Sequence, residues 1–264
     1  MERFYFVYPE GKKRALTLSY DDGRSYDRRL VALLKKHGLK GTFHLNSGKL
    51  GTFDYVTAEE VAELYEGMEV ACHGVRHEFL TELTNEQMVR EVWNDRLALE
   101  ALTGKITDGM SYAYGVFSPE IITNLKAYGI KYSRTTISTN RFEIPRDFMQ
   151  WNPTCHHDAD LMGLLETFNK SPEYRHMPLF YVWGHSFEFD QKNNWEHMEE
   201  FCEAAGGNPD IWYCTNHEVY DYITAMKRVV FSADGKVAMN PTNLTLYGRV
   251  DGELVCLKPG ENHL

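Results

Sequence analysis

Short segments in which apolar and polar residues alternate are separated along this chain by longer segments with apolar residues at helical spacing. Residues 14–20 (RALTLSY) have the two-residue alternation of a half-buried strand. In residues 26–37 the apolar side chains from Leu30 to Leu34 fall on one helix face, and Gly38 follows where a helix would end. The chain thus opens with a strand followed by a helix.

The same two patterns continue as far as residue 228. The further predicted strands are 41–45, 68–72, 109–112, 130–132, 179–183 and 211–213. The predicted helices are 26–37, 57–65, 85–102, 118–128, 158–168, 194–205 and 217–228. A Thr57–Glu60 capping box is expected to open the second of them. Residues 138–153 fit neither pattern.

Strands that alternate with helices over about 200 residues indicate parallel strands joined by crossover helices, in a barrel or an open sheet. Residues 230–264 differ, because Asp-Gly pairs at 234–235 and 251–252 separate short alternating segments, as in hairpins. The sequence therefore predicts a main α/β domain at 1–229 and a small antiparallel β appendage at 230–264. The appendage either packs on the main domain or forms a contact in a homo-oligomer, and the sequence leaves both alternatives open.

Composition narrows the classes of partner and compartment. The 264 residues carry a net charge of -10, which makes nucleic acid and anionic membranes poor candidate partners. The five cysteines include no C-x-x-C pair and fit reduced thiols better than a disulfide framework. The segment before Pro9 has too few apolar residues for a signal peptide, and no apolar segment approaches the roughly 18 residues of a membrane span. We therefore expect a cytoplasmic protein.

Two adjacent carboxylates, Asp21 and Asp22, end the first predicted strand and precede Gly23. Neighbouring negative charges are costly to desolvate together, and a bound cation removes that cost. Asp-Asp-Gly is also a common turn composition. This pattern alone is compatible with a metal site and with a simple turn.

A pair of histidines, His73 and His77, follows the third predicted strand directly. Histidines four residues apart face the same way on a helical turn and can bind one metal ion. The carboxyl ends of parallel strands converge on one face of a sheet or barrel, which brings this pair near Asp22. Two histidines and one carboxylate leave coordination positions open, as in a catalytic metal site.

Together these residues resemble a known family. Residues 17–23 (TLSYDDG) and the His73-x-x-x-His77 pair look like the first two motifs of the polysaccharide deacetylases, the NodB-homology or carbohydrate esterase family 4 group. Residues 111–115 (SYAYG) stand at the third motif, residues 147–151 (DFMQW) are the nearest match to the fourth, and residues 180–185 (FYVWGH) match the later strand that ends in His. The resemblance extends from about Ala15 to Arg228 and implies a distorted (β/α) barrel of about seven parallel strands.

The resemblance also implies a role for each matched residue. Asp21 would be the general base that takes a proton from a metal-bound water, and His185 the general acid that protonates the leaving amine. The backbone N–H of Tyr114 would help to stabilise the oxyanion. The ligands of a divalent metal, zinc in the first place with cobalt, nickel or manganese as alternatives, would be Asp22, His73 and His77.

The third motif departs from the family pattern. Ser111 replaces the arginine that orients and tunes the base in family members, and Ala113 replaces the proline. Arg24, Arg134 or Arg146 would have to supply the missing charge, and the sequence does not choose among them.

Trp151 and His156 are candidate substrate-binding residues, because a tryptophan can stack on a sugar and a loop histidine can bind hydroxyl groups. The alternative interpretation is a buried tryptophan and a solvated His156–His157 pair at the start of a helix.

We therefore expect a metal-dependent hydrolase that removes an acetyl or similar acyl group from an N-acetylated or O-acetylated carbohydrate, either a small molecule or an oligosaccharide. Opening of a cyclic amide or ureide, as in allantoinase-like relatives, is an alternative that the missing arginine favours. A catalytically silent saccharide-binding protein is a third hypothesis, against which the presence of both Asp21 and His185 argues.

Overall fold

The computed structural model of the chain describes residues 4–171 and 177–264, so residues 1–3 and 172–176 of the predicted main domain lie outside the described residues. The strands are β1 (Phe4–Val7), β2 (Arg14–Asp22), β3 (Gly41–Leu45), β4 (Glu69–Cys72), β5 (Gly109–Ser111), β6 (Tyr132–Arg134), β7 (Cys155–His156), β8 (Leu179–Gly184), β9 (Ile211–Tyr213), β10 (Val230–Phe231), β11 (Val237–Asn240), β12 (Leu246–Val250), β13 (Glu253–Leu257) and β14 (Gly260–His263). The α-helices are α1 (Asp27–Lys36), α2 (Val61–Leu64), α3 (Asn85–Met88), α4 (Asn94–Thr103), α5 (Pro119–Ala127), α6 (Leu161–Asn169), α7 (Ser186–Gln191), α8 (Trp195–Ala205) and α9 (Asn216–Met226).

Parallel strands form the centre of the molecule, hydrogen-bonded in the order β6-β5-β4-β3-β2-β8-β7, and β9 pairs with the first residues of β2. Trp151 forms a parallel bridge with Arg134 on β6, while Cys155 and His156 pair with β8. The segment 151–156 therefore joins the two edges of the sheet and closes it into a distorted barrel. The predicted α/β fold with parallel strands and a C-terminal antiparallel part is confirmed.

Strand β2 shows why the sequence folds this way. Leu16, Leu18 and Tyr20 pack in the core beneath the helices, whereas the alternate residues Thr17 and Ser19 are also completely buried. Because successive side chains of a strand point to opposite faces, the polar set faces the barrel interior. The alternation that predicted a half-buried strand thus reflects a polar barrel interior, not a solvent-exposed face.

Two predicted helices are present but differ in detail. The helix expected over 85–102 forms, with a π-helical segment at Val89–Trp93 between α3 and α4. Only one of the two hydrogen bonds of the capping box predicted at Thr57 is present: the Glu60 carboxylate accepts the Thr57 N–H at 3.0 Å. The α-helix itself begins at Val61 and ends at Leu64. Turns at residues 58–60 replace the first turn of the expected helix.

The C-terminal segment forms two antiparallel sheets, β1-β12-β13 and β10-β11-β14. Asp251 (φ 49°) and Gly252 (φ 92°) make the predicted tight hairpin between β12 and β13. Tyr222 on α9 ties these sheets to the barrel, because its hydroxyl donates to the Val7 carbonyl (2.8 Å) and accepts the Tyr247 N–H (3.0 Å). The appendage thus packs on the main domain and takes the N-terminal strand into its own sheet. Within the part of the chain that the structure describes, no helix has the length and apolar character needed to span a membrane.

Candidate active site

The residues singled out by the sequence lie at the carboxyl ends of the barrel strands. Asp21 and Asp22 end β2, and Ser111 and Arg134 end β5 and β6. The histidines directly follow or end β4, β7 and β8, at His73, His156 and His185. Parallel strands deliver these side chains to one mouth of the barrel, where ligands bind in such folds.

Asp22, His73 and His77 form what we call the first histidine cluster. The Nε2 atoms of His73 and His77 lie 3.6 and 3.7 Å from Oδ1 of Asp22. Oδ1 of Asp22 and Nε2 of His73 are buried and have no hydrogen-bond partner among the described residues. Asp22 (φ 82°) and His77 (φ 65°) both adopt the left-handed backbone conformation that non-glycine residues rarely adopt outside constrained sites. The ligand atoms of the three residues thus converge, all within 4.8 Å of one another.

Hydrogen bonds fix the orientation of His73. Its Nδ1 lies 3.0 Å from the Ser111 carbonyl oxygen and 2.7 Å from the Ser111 hydroxyl. A carbonyl can only accept, so Nδ1 carries the proton and Nε2 presents a lone pair toward Asp22 and His77. This is the arrangement by which second-layer groups prepare a histidine to bind a metal.

Two acidic residues from the α3–α4 helix hold the loop that carries this cluster. The Asp95 carboxylate accepts the backbone N–H groups of His73 and Gly74, each at 3.0 Å. Glu91 accepts those of Arg76 (2.8 Å) and Glu78 (3.2 Å). Burial raises the pKa of Asp95 to about 7 against the effect of these hydrogen bonds. Neither residue was predicted from the sequence, although an acidic side chain on the inward face of an amphipathic helix could have indicated each of them.

Asp21 lies beside the first histidine cluster and is almost completely buried. Its Oδ2 contacts the Arg134 guanidinium and lies 3.7 Å from Nε2 of His73, and its Oδ1 accepts the Ser111 hydroxyl at 3.0 Å. Burial alone would raise the pKa of Asp21, but the Arg134 guanidinium and then the His73 imidazole bring it well below its ordinary value. Asp21 is therefore an ionised carboxylate held in one orientation.

Arg134 comes from the strand next to the one that carries Ser111, at the directly paired position. It is completely buried and also donates from Nε to the Ser19 hydroxyl (3.1 Å). Arg24, by contrast, forms its ion pair with Asp54. Of the three arginines considered from the sequence, the structure therefore brings Arg134 to Asp21. The predicted strand at 130–132 lies two residues too early, which concealed that Arg134 ends β6.

A second histidine cluster, made of His156, His157, His185 and Glu188, lies at the ends of β7 and β8. Oε2 of Glu188 lies 3.0 Å from Nε2 of both His156 and His157 and 3.5 Å from Nδ1 of His185. Burial would lower the pKa of His185, but the Glu188 hydrogen bond and then the Asp21 and Asp22 charges raise it overall. His157 is completely buried, so the solvated His156–His157 pair considered from the sequence is wrong.

Comparison with known proteins agrees with this architecture. The family model described as polysaccharide deacetylase matches residues 8–133, slightly less than half of the chain. The resemblance to the polysaccharide deacetylases is confirmed. YxkH of Bacillus subtilis (strain 168), provisionally named a polysaccharide deacetylase, is 23% identical over 126 residues, which cover 47% of this chain and 45% of that protein. The chain thus spans less than half the length of this relative.

Solved structures with the deacetylase fold are similar over most of the chain. A protein of Mycobacterium smegmatis, provisionally described as a polysaccharide deacetylase, has a TM-score of 0.61 at 15% identity and covers 86% of this chain and 96% of its own. The Xyl-CE4 domain of a multidomain xylanase from the hindgut metagenome of Trinervitermes trinervoides has a TM-score of 0.57 at 15% identity, covering 80% and 92%. At these identities the similarity concerns the fold.

The deacetylase family match ends before Arg134, so Arg134 and the second histidine cluster lie outside the matched residues. Tyr114 sits at the mouth with positive φ (59°), and its half-exposed ring stacks on Phe79 at 3.7 Å and meets His77 edge-on at 4.4 Å. Trp151 is completely buried and packs against Tyr181, so its ring has no exposed face for a sugar. The buried alternative applies to Trp151, and His156 remains at the mouth, about one-quarter exposed.

Proposed function

We propose that this chain is a metal-dependent hydrolase that removes an acetyl or similar acyl group from an N-acetylated or O-acetylated carbohydrate. The observation that carries the proposal is the pair of buried, unpartnered ligand atoms, Asp22 Oδ1 and His73 Nε2, beside the ionised carboxylate of Asp21. The similarity to polysaccharide deacetylases supports the acyl group and the carbohydrate class.

The donor set fits a divalent metal ion. One carboxylate oxygen and two imidazole nitrogens are ligands that zinc accepts, and three protein ligands leave a coordination position open. The ligand atoms of Asp22, His73 and His77 all lie within 4.8 Å of one another. When bound, such a cation lowers the pKa of a coordinated water and polarises an acyl oxygen. Cobalt, nickel or manganese would suit the same donors.

Asp21 is suited to accept a proton as the general base. Its carboxylate is ionised, lies 3.7 Å from Nε2 of His73 beside the proposed metal ligands, and is held in place by Arg134 and Ser111. Arg134 thereby takes the role that the resemblance assigns to the third-motif arginine. A cyclic-amide substrate thereby loses its main support, which was the missing third-motif arginine.

His185 is suited to donate a proton as the general acid. Glu188 and the Asp21 and Asp22 charges raise its pKa despite burial, so the protonated form persists closer to neutral pH. The backbone N–H of Tyr114, at the same mouth, would stabilise a developing oxyanion.

The test is acetate release from a panel of N- and O-acetylated saccharides, with and without zinc or cobalt. We expect metal-dependent release in the wild type, a loss of activity of about 10²–10⁴-fold in Asp21→Asn with metal retained, and loss of both activity and one metal equivalent in His73→Ala. His263→Ala alters an exposed histidine on β14 and is the matched control.

Three outcomes would contradict the proposal in different ways. A metal-loaded protein that releases no acetate from any sugar would favour a cyclic amide or ureide substrate if ring opening is then detected. Saccharide binding without turnover would favour the silent binding protein. Failure of His73→Ala to reduce bound metal would exclude the first histidine cluster as the metal site.

A further inference from the structure

The candidate acid His185 takes its position from a very short helix. It directly precedes α7, which has six residues, Ser186–Gln191. A helix of this length is not stable by itself in water, so its place in the fold is set by the contacts that its side chains make with the rest of the protein. The contacts of its first turn therefore determine where the His185 imidazole lies.

Arg24 contacts the second residue of that turn, Phe187. The guanidinium carbon of Arg24 lies 5.0 Å from the centre of the Phe187 ring and 4.7 Å from the centre of the Tyr55 ring. A guanidinium over an aromatic face is attracted by the ring, and here two rings share one cation. The Phe187 ring in turn lies 5.3 Å from the His185 ring, measured between centroids. Arg24 thus connects the loop after β2 to the residue that packs on His185.

Arg24 is itself held in one orientation by Asp54. Its Nη2 donates to Oδ2 of Asp54 at 2.5 Å, and its Nε donates to the Asp54 carbonyl oxygen at 3.1 Å. The Ser25 hydroxyl donates to the other carboxylate oxygen of Asp54 at 2.6 Å, which keeps that carboxylate in place. Two hydrogen bonds from one planar guanidinium fix its plane as well as its position. The surface that Arg24 offers to Phe187 is therefore rigid.

Ser186, the first residue of α7, is anchored to the same part of the chain. Its hydroxyl donates to the carboxyl of Asp27, which is completely buried at the start of α1. The two contacts of the first turn of α7 thus both lead to residues 24–27. This segment directly follows the strand that ends in Asp21 and Asp22, so the position of α7 is tied to the proposed base and to a proposed metal ligand.

We propose that Arg24 is a positioning residue for the acid, because it holds Phe187, and through it the His185 imidazole, at a fixed place relative to the Asp21 carboxylate. This role rests on the proposed function, in which His185 gives its proton to the leaving nitrogen or oxygen as the bond to the acyl carbon breaks. Placement matters for such a transfer, since a displacement of about 1 Å can lower the rate roughly 100-fold. Arg24, considered from the sequence as a partner of the base, thus serves the acid.

The test compares two acetyl substrates that differ in their need for an acid. One is the acetylated saccharide that the wild type hydrolyses fastest, and the other is p-nitrophenyl acetate, whose phenolate leaves without a proton. We expect Arg24→Ala to lower kcat for the saccharide by about 10–100-fold, with KM and the bound zinc unchanged, and to lower kcat for the phenyl ester much less. Arg28→Ala, which removes an exposed arginine paired with Glu60, is the matched control and should behave as the wild type.

Phe187→Leu is the second variant, because it removes the aromatic contact and leaves the ion pair of Arg24 with Asp54 intact. It should reproduce the effect of Arg24→Ala on the saccharide. A double-mutant cycle with His185→Ala needs no phenyl ester. A residue that acts through His185 has nothing left to position in that background, so adding Arg24→Ala should cause little further loss of kcat.

The proposal is overturned if Arg24→Ala slows both substrates equally or releases the bound zinc, since Arg24 would then support the fold or the metal ligands. Losses that multiply in the Arg24→Ala/His185→Ala double variant, or an unchanged kcat for the saccharide in Arg24→Ala, would also overturn it. A wild type that releases no acetate from any saccharide would contradict the proposed function, and this role with it, before any variant is compared.

Discussion

The two histidine clusters at the barrel mouth both combine histidines with one carboxylate, but the distances from the carboxylate to the histidines differ. In the first, Asp22 Oδ1 is 3.6–3.7 Å from its histidines, whereas in the second Glu188 Oε2 is 3.0 Å from two of them. Partners outside the first cluster, Ser111 and Asp95, hold His73 by its Nδ1 and its backbone. The ligand atoms of the first cluster are thus held apart by partners outside it, while in the second the histidines surround one carboxylate oxygen.

Of the variants considered, Arg134→Ala should change stability and activity most, because it removes the partner of the buried Asp21 carboxylate beside the first histidine cluster. Breaking a buried ion pair from one side costs about 3–5 kcal/mol of unfolding free energy. Burial would then raise the pKa of Asp21, so the acid limb of the kcat/KM profile should move to higher pH.

Arg134→Lys is the matched variant, since it keeps the charge and should recover part of both effects. Chemical denaturation and pH–rate profiles measure them. An unchanged acid limb in Arg134→Ala would show that Arg134 supports the fold and not the base.

Asp27 lies next to the second histidine cluster, and its replacement should have an intermediate effect, on the pH dependence of stability. This carboxyl accepts the hydroxyls of Tyr65 and of Ser186, the residue after His185, and burial raises its pKa to about 7. The folded protein keeps this proton up to about pH 7, whereas the unfolded chain releases it near pH 4. Stability should therefore fall as the pH rises between these values.

In Asp27→Asn the decrease in unfolding free energy from pH 5 to pH 8 should be smaller by about 2–3 kcal/mol. Denaturant titrations of the wild type, Asp27→Asn and the exposed control Asp190→Asn at both pH values measure this. Parallel decreases in all three proteins would mean that Asp27 does not hold its proton in the folded state.

Ser111→Ala should have the smallest effect, a modest loss of metal affinity at the first histidine cluster. It removes one of two acceptors for Nδ1 of His73 and a donor to Asp21, while the Ser111 carbonyl stays in place. Loss of such a supporting hydrogen bond weakens metal affinity by about 10-fold at the lower end of what is usual.

Competition with a chelator measures the metal affinity of the first histidine cluster. The control Ser133→Ala, which removes a buried serine hydroxyl from the neighbouring strand β6, should leave that affinity unchanged. Equal weakening in Ser111→Ala and Ser133→Ala would show that the Ser111 hydroxyl has no specific role in holding His73.

The proximity of Asp22, His73 and His77 could be predicted from the sequence, because each residue lies in a short motif at the end of a predicted strand. Asp22 ends one strand and His73 follows another, and the topology rule for parallel strands brings such ends together. The paired position of Arg134 opposite Ser111 depends on strand register, which a strand predicted at 130–132 instead of Tyr132–Arg134 could not supply. An error of two residues was enough to hide the partner of Asp21.

The second cluster was hidden for a different physical reason. It requires the two-residue strand β7 to pair with β8 and the six-residue helix α7 to turn Glu188 back toward them. Neither element is long enough to show a period of two or 3.6 residues. The polar barrel interior likewise led to β2 being predicted as half-buried, because the buried residues Thr17 and Ser19 resemble residues that face solvent.

The pairing of β1 with β12 imposes an order of events during biosynthesis. Phe4 lies opposite Val250, so the first strand has no partner until almost the whole described chain has been translated. At about 5–20 residues per second, roughly 10–50 s separate the synthesis of the two strands. The barrel can fold in that interval, but the aromatic ring of Phe4, which packs on Phe6 and Phe231 in the finished protein, stays uncovered. Until β12 has been made, β1 lacks its strand partner and its apolar side chains stay exposed on the nascent chain.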